Sequence, residues 1–179
     1  MEFFKTGIQD LWEITPRIHR DQRGYFMESF QSDILKQNGI PGPFVQDNQS
    51  FSRKGVLRGL HFQKQPFSQG KLISVIFGEV LDVIVDLRRW SPTFGKHYSC
   101  RLDDKQHKLL YVPEGMAHGF LALRDSMFVY KCTEFYHRES EAGILWNDPD
   151  LGIDWGIVDP ILSKKDAGLP SFKEAMEKL

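Results

Sequence analysis

The sequence predicts an all-β protein: a sandwich, jelly roll or barrel of many short strands. Three observations carry that expectation. Phenylalanine is abundant, with 14 residues among 179. Runs rich in β-branched and aromatic residues recur at close spacing and are separated by turn residues. Stretches with the 3.6-residue apolar period of a long helix are scarce.

Taken in order, a strand is expected over 22–29, with Arg23-Gly24 as a turn signal, and a short helix over 32–38, with Gly39 just past its end. Strands follow over 45–52 and 55–61. The clearest pattern lies at 71–87. There, 72–77 and 80–87 read as two strands of a hairpin, with Gly78-Glu79 suited to a type II′ turn. In the second strand Leu81, Val83, Val85 and Leu87 share one face, and Val80, Asp82, Ile84 and Asp86 the other. Carboxylates among apolar residues on one face point to solvent or to a polar cavity. Further strands are expected over 96–102, 108–112, 117–122 and 127–135, separated by signals such as Ser91-Pro92 and Pro113-Glu114-Gly115. Near the C-terminus, Ser171 with Glu174 three residues on forms a capping box that opens a helix over 171–179. Both helices belong outside the β core.

Composition narrows the function classes. The length suits one domain over 1–179 with a sizeable core of its own. Basic and acidic residues nearly cancel, at 23 and 24, which argues against a nucleic-acid or membrane-surface protein. No apolar run reaches the length of a membrane span, and the first residues lack the pattern of a signal peptide. Cys100 and Cys132 stand far apart with no CxxC, so the expected setting is a reducing cytoplasm, with both as small buried hydrophobes.

The chemistry-bearing residues sit on strands. His-x-His, HExxH, the G-x-S-x-G elbow, the G-x-G-x-x-G loop and the P-loop are all absent. A metal site would need scattered residues such as His61 and His118 with a carboxylate. Arg58, Leu60 and Phe62 share one strand face by simple alternation, so His61 points the other way unless a bulge intervenes. Gln46, Asn48 and Ser50 form a polar row. Lys71, His61 and Tyr130 together are what proton abstraction beside a carbonyl uses: a base, an oxyanion partner and a proton donor. Taken singly, each is equally at home as a structural residue, and an all-β binding module is the competing reading.

A series of strings, in order and over nearly the whole chain, is more specific. It runs through Arg23-Gly24-Tyr25-Phe26, Val45-Gln46-Asp47-Asn48, Leu57-Arg58-Gly59-Leu60-His61-Phe62-Gln63 and Gln69-Gly70-Lys71. It continues with Asp82-Val83-Ile84-Val85-Asp86, Pro113-Glu114-Gly115-Met116-Ala117-His118-Gly119-Phe120, Trp146-Asn147-Asp148-Pro149 and Ser163-Lys164-Lys165-Asp166. This series resembles the dTDP-4-dehydrorhamnose 3,5-epimerase family from end to end.

The resemblance implies a cupin-like double-stranded β-helix (jelly roll) with a few short peripheral helices. It also implies a homodimer, no metal and no organic cofactor. The implied substrate is dTDP-4-dehydro-6-deoxy-D-glucose, inverted at C3 and C5; inversion at C3 alone, or another nucleotide, is the alternative. Carried over, His61 is the base, Tyr130 the proton donor and Lys71 the partner of the C4 oxygen. Asp166 pairs with His61, with Asp82 a second candidate for that task. Arg58 and Lys165 meet the diphosphate, Gln46 and Asn48 the nucleotide, and Tyr136 stacks on thymine. His118 and Glu141 line the site, while Arg23, Phe26 and Glu28 reach it from the partner subunit. Lys71 is expected to have an acidic neighbour. Phe67-Ser68 falls in a loop that bears on access to the site.

Overall fold

A computed structural model describes residues 1–179. The strands are β1 (Glu2–Lys5), β2 (Trp12–Thr15), β3 (Ile18–Asp21), β4 (Gly24–Met27), β5 (Gln46–Ser52), β6 (Leu57–Gln63) and β7 (Lys71–Phe77). They continue as β8 (Glu79–Asp86), β9 (His97–Asp103), β10 (Leu109–Val112), β11 (Met116–Ala122), β12 (Ser126–Cys132) and β13 (Glu141–Gly143). The helices are α1 (Ser32–Gln37), α2 (Lys164–Ala167) and α3 (Phe172–Glu177). One sheet has the order β1-β2-β10-β7-β12-β5, and a second has the order β13-β6-β11-β8-β9. The hairpin β3–β4 stands apart as a two-stranded sheet. This is the all-β, cupin-like architecture with short helices.

Apolar residues on both faces of the central strands explain the layering. Ile73, Val75, Leu110 and Phe128 from the first sheet meet Val80, Ile84, Leu102 and Phe120 from the second. Burying each such side chain is worth about 1.5–3 kcal/mol, enough to hold the sheets together although polar residues occupy part of the space between them. The outer face of the five-stranded sheet is covered by the chain after β13: Val83, Val85 and Leu121 pack with Ile144, Leu151, Trp155 and Met176. On the other side, Leu72, Leu109 and Tyr111 pack against Leu35 and Ile40. Helix α3 opens with the expected capping box between Ser171 and Glu174.

Four expectations are corrected. The strands around Gly78-Glu79 do not form a hairpin: β7 pairs with β10 and β12, while β8 pairs with β9 and β11. Gly78 is where the chain crosses between sheets. Its φ is +91°, and a Cβ there would lie 2.2 Å from the Asp125 carbonyl oxygen, so only glycine fits. The strand expected over 22–29 is the second arm of a hairpin, with Gln22 and Arg23 in its turn. The strand expected over 127–135 ends at Cys132, where the chain leaves the ladder. Asp82 and Asp86 face neither solvent nor the cavity directly, since both are 0% exposed. Asp86 accepts hydrogen bonds from Arg88, Ser91 and Thr93.

The bulge left open by the sequence is present. In the β6–β11 ladder His61 pairs with His118, yet Arg58 pairs with Phe120, so Gly59 and Leu60 together oppose Gly119. A Cβ on Gly59 would lie 2.6 Å from the Gly119 Cα, and the φ of Gly59 is +117°. Two glycines let the strands approach there. The extra residue turns Arg58 and His61 to the same side, while Leu57, Leu60 and Phe62 join the outer core.

Candidate active site

Between the sheets, beside their shared apolar core, lies a cavity of ≈ 410 Å³. The five-stranded sheet contributes Arg58, His61, Gln63, His118 and Glu141 to its wall, and the six-stranded sheet contributes Asn48, Ser50, Lys71 and Tyr130. Tyr136, from the loop after β12, and Lys165 and Asp166, from α2, complete it.

His61 is held from outside. Its Nε2 lies 2.6 Å from Asp166 Oδ1. Asp166 is placed by the start of α2, where Ser163 caps the helix by accepting a hydrogen bond from the Asp166 N–H. Burial opposes ionisation of Asp166. The hydrogen bond from His61, the His61 charge and Ser163 outweigh it and hold the carboxyl below its usual range. The carboxylate therefore fixes the imidazole and leaves the other ring nitrogen free.

A second pair lies across the same ladder. His118 Nε2 is 2.9 Å from Asp82 Oδ2, with both side chains buried. Asp82 Oδ1 has no hydrogen-bond partner. The sequence left two aspartates as partners for His61; the geometry gives Asp166 to His61 and Asp82 to His118.

Lys71 and Tyr130 stand together on the facing sheet, with Lys71 Nζ 5.8 Å from the Tyr130 ring centroid. Burial pushes the ammonium of Lys71 below the usual lysine range, partly offset by Cys132, Asp82 and Glu141. The expected acidic neighbour is thus not a contact, for no carboxylate forms an ion pair with Lys71; the compensation acts through space. Burial, followed by Cys132 and Glu141, pushes the Tyr130 phenol up, which keeps its proton in place at neutral pH. The thiol of Cys132 is pushed up by burial and behaves as a core group.

Around the mouth, Lys165 Nζ lies 2.6 Å from Glu141 Oε2, and the Tyr136 hydroxyl donates to the same oxygen at 2.9 Å. Arg58 is aimed by its hydrogen bond to Ser52 Oγ at 3.0 Å. Gln46 stands beside the wall, donating to Asn48 Oδ1 and accepting from the Tyr136 N–H. Cationic Arg58 and Lys165 at the opening suit an anionic ligand. No group of three or more His, Cys, Asp or Glu side chains is arranged to hold a metal ion.

Most of the residues singled out from sequence therefore meet at one cavity. Asp82 lies behind its wall. Arg23, Phe26 and Glu28 are elsewhere: they belong to the β3–β4 hairpin and its exit, and all three are exposed. Arg23 is paired only with Asp21. Sequence reasoning missed Gln63 and Gln69, which tie the loops around the mouth. Gln63 follows His61 by two residues, and that strand alternation was the available signal.

A family profile described as dTDP-4-dehydrorhamnose 3,5-epimerase matches residues 5–174. The dTDP-4-dehydrorhamnose 3,5-epimerase of Methanothermobacter thermautotrophicus is 50% identical over 176 residues, covering 96% of this chain and 95% of that protein. The crystal structure of the Elizabethkingia anophelis enzyme of that name superposes with a TM-score of 0.93 at 47% identity, covering 97% of each chain. A Legionella pneumophila dTDP-6-deoxy-D-glucose-3,5-epimerase, solved with dTDP-4-keto-L-rhamnose, gives 0.92 at 47% identity over 96% of this chain and 93% of that one.

Proposed function

We infer the activity from a premise the chain satisfies: it belongs to the dTDP-4-dehydrorhamnose 3,5-epimerase family and is an isomerase of that type. It inverts C3 and C5 of dTDP-4-dehydro-6-deoxy-D-glucose, giving dTDP-4-dehydro-L-rhamnose. The observation that supports this most directly is the placement of His61 and Tyr130 on facing sheets across one cavity, with Lys71 beside Tyr130.

The C4 ketone acidifies the hydrogens on both C3 and C5, because either carbanion delocalises onto the same oxygen. One base and one oxyanion partner can therefore serve both centres. His61 takes a proton on the ring nitrogen that Asp166 does not hold. Lys71 stabilises the enolate oxygen from a site where burial strengthens its field. Tyr130 then returns a proton from the opposite wall, which inverts the centre. Arg58 and Lys165 bind the diphosphate, Gln46 and Asn48 contact the nucleotide, and Tyr136 stacks on the base. His118 and Glu141 complete the wall. Holding the remote nucleotide supplies binding energy that orients the sugar.

The proposal includes one catalytic domain over 1–179 acting as a homodimer in a reducing compartment, with Cys100 and Cys132 as thiols. Arg23, Phe26 and Glu28 of one subunit reach the site of the other. In support, Phe26 is 71% exposed on its own chain, and Phe51, Ile76 and Phe77 leave an apolar outer face uncovered on the six-stranded sheet. Sedimentation velocity should give a dimer, and Arg23→Ala should weaken dTDP binding without unfolding the chain.

The deciding experiment is proton NMR of dTDP-4-dehydro-6-deoxy-D-glucose with the protein in D₂O. Deuterium should enter both C3 and C5. Exchange at C3 alone would replace the reading by a mono-epimerase, and exchange at neither carbon would sink it.

A further inference from the structure

We propose that Gln63 is a positioning residue that builds the nucleotide-base platform by holding Tyr136 in place. The inference rests on the nucleotide-sugar reading above and adds a determinant of affinity for the base. The loop after β12 carries Tyr136, which is 53% exposed. An exposed aromatic platform stacks well only if its backbone is fixed in advance.

Gln63 supplies that fixation. Its Nε2 donates to the Phe135 carbonyl at 3.2 Å, and its Oε1 accepts from the His137 N–H at 2.7 Å. The Phe135 carbonyl and the His137 N–H, which flank Tyr136, thus end on one buried amide, since Gln63 is 7% exposed, while the Tyr136 N–H is held by Gln46. Neither the Phe135 carbonyl nor the His137 N–H has a backbone partner. The second Nε2 hydrogen goes to the Phe67 carbonyl at 2.6 Å. Phe67 in turn stacks on the His137 ring, with centroids 3.8 Å apart and planes 8° from parallel. Ser68 Oγ closes the arrangement by donating to the Gln63 carbonyl at 3.1 Å. A side chain two residues from His61 therefore clasps two loops together beneath the platform. Its donors face carbonyls and its acceptor faces an N–H, so the amide is needed as such. Glutamate of the same shape sets a carboxylate oxygen against two carbonyl oxygens, and leucine satisfies none of them.

The test compares Kd for dTDP and for inorganic pyrophosphate in the full-length protein, Gln63→Leu, Gln63→Glu, Tyr136→Ala and the double variant Gln63→Leu/Tyr136→Ala. Base–aromatic stacking sets the scale. Both Gln63 variants should weaken dTDP about ten-fold and leave pyrophosphate within about two-fold. In the Tyr136→Ala background, Gln63→Leu should cost less than about two-fold, because the ring it positions is gone. Retained pyrophosphate binding also reports a folded site. Equal loss of both ligands would make Gln63 a general structural residue and overturn the inference. The same follows if the full dTDP loss persists without Tyr136. If the unaltered protein binds pyrophosphate but shows no preference for dTDP, the nucleotide-sugar reading itself fails.

Discussion

The two histidine–aspartate pairs use the same residue types, on neighbouring strands, for different ends. His61 keeps 29% of its side-chain surface, and its partner Asp166 arrives from α2 outside the sheets. His118 keeps 8%, and Asp82 lies on the adjacent strand β8 with no exposed surface. The first pair leaves a ring nitrogen facing a cavity where a substrate proton can arrive. The second faces the apolar core on one side, with His118 stacked 5.7 Å from Phe128. In the proposed mechanism, what assigns proton transfer to one pair is therefore access and the direction from which the carboxylate comes. The second pair contributes shape, and a buried negative charge that acts on Lys71 at a distance.

The largest expected effect breaks the symmetry outright. His61→Ala should reduce turnover by about 10²–10⁴-fold and abolish deuterium exchange at both carbons. His118→Ala should leave exchange measurable; equal losses in the two variants would show that access does not separate the pairs. Lys71→Met comes next, with a loss of about 10²–10³-fold from the missing oxyanion partner. The same change should raise the melting temperature. Burial pushes the pKa of Lys71 down in the folded chain. Between that depressed value and the ordinary lysine value the unfolded state binds more protons, so stability rises with pH across that window. The stabilisation by methionine should accordingly be greatest below the depressed value and shrink as pH rises toward the ordinary lysine value. A drop in melting temperature would mean that the ammonium is better compensated than its surroundings indicate. Asp166→Asn should lower turnover, as expected for loss of a partner that orients a reacting imidazole. A rate that stays within a few-fold would move the orienting task elsewhere.

The sequence made the strands legible wherever apolar alternation was long, as in β8, β11 and β12. It also exposed the capping box of α3 and, through the ordered strings, the residues proposed for acid–base chemistry, which line one cavity. It could not reveal sheet membership. Gly78-Glu79 has the local chemistry of a hairpin turn, yet β7 pairs with β10 and β12, far along the chain, while β8 pairs with β9 and β11 in the other sheet. Strands of three or four residues such as β1, β2 and β13 carry too little pattern to stand out. The direction of Arg58 depended on a bulge at Gly59, and its cause, the close approach of Gly119, is a tertiary contact. The aspartate partners were ambiguous for the same reason. Asp166 is 105 residues from His61, and a single turn of helix brings it there.

The smallest effect sharpens the comparison most, because it asks what the silent pair does. Asp82 is one of the groups that resist the burial-driven fall in the Lys71 pKa, after Cys132 and before Glu141. Its Oδ1 has no hydrogen-bond partner, and the one hydrogen bond of its carboxylate comes from His118. Asp82→Asn keeps the shape and an acceptor for His118 but removes that charge. Lys71 should then lose its proton at lower pH. The alkaline limb of the pH–rate profile should move toward neutral, while the rate near its optimum changes least among these variants. Tyr130, pushed up by burial, does not titrate first and leaves that limb to Lys71. Asp166→Asn provides the control. Asp166 is not among the groups that act on Lys71, so the limb should stay where it is even though turnover falls. An alkaline limb that moves in both variants, or in neither, would mean that the two pairs are not separated by charge as they are by access.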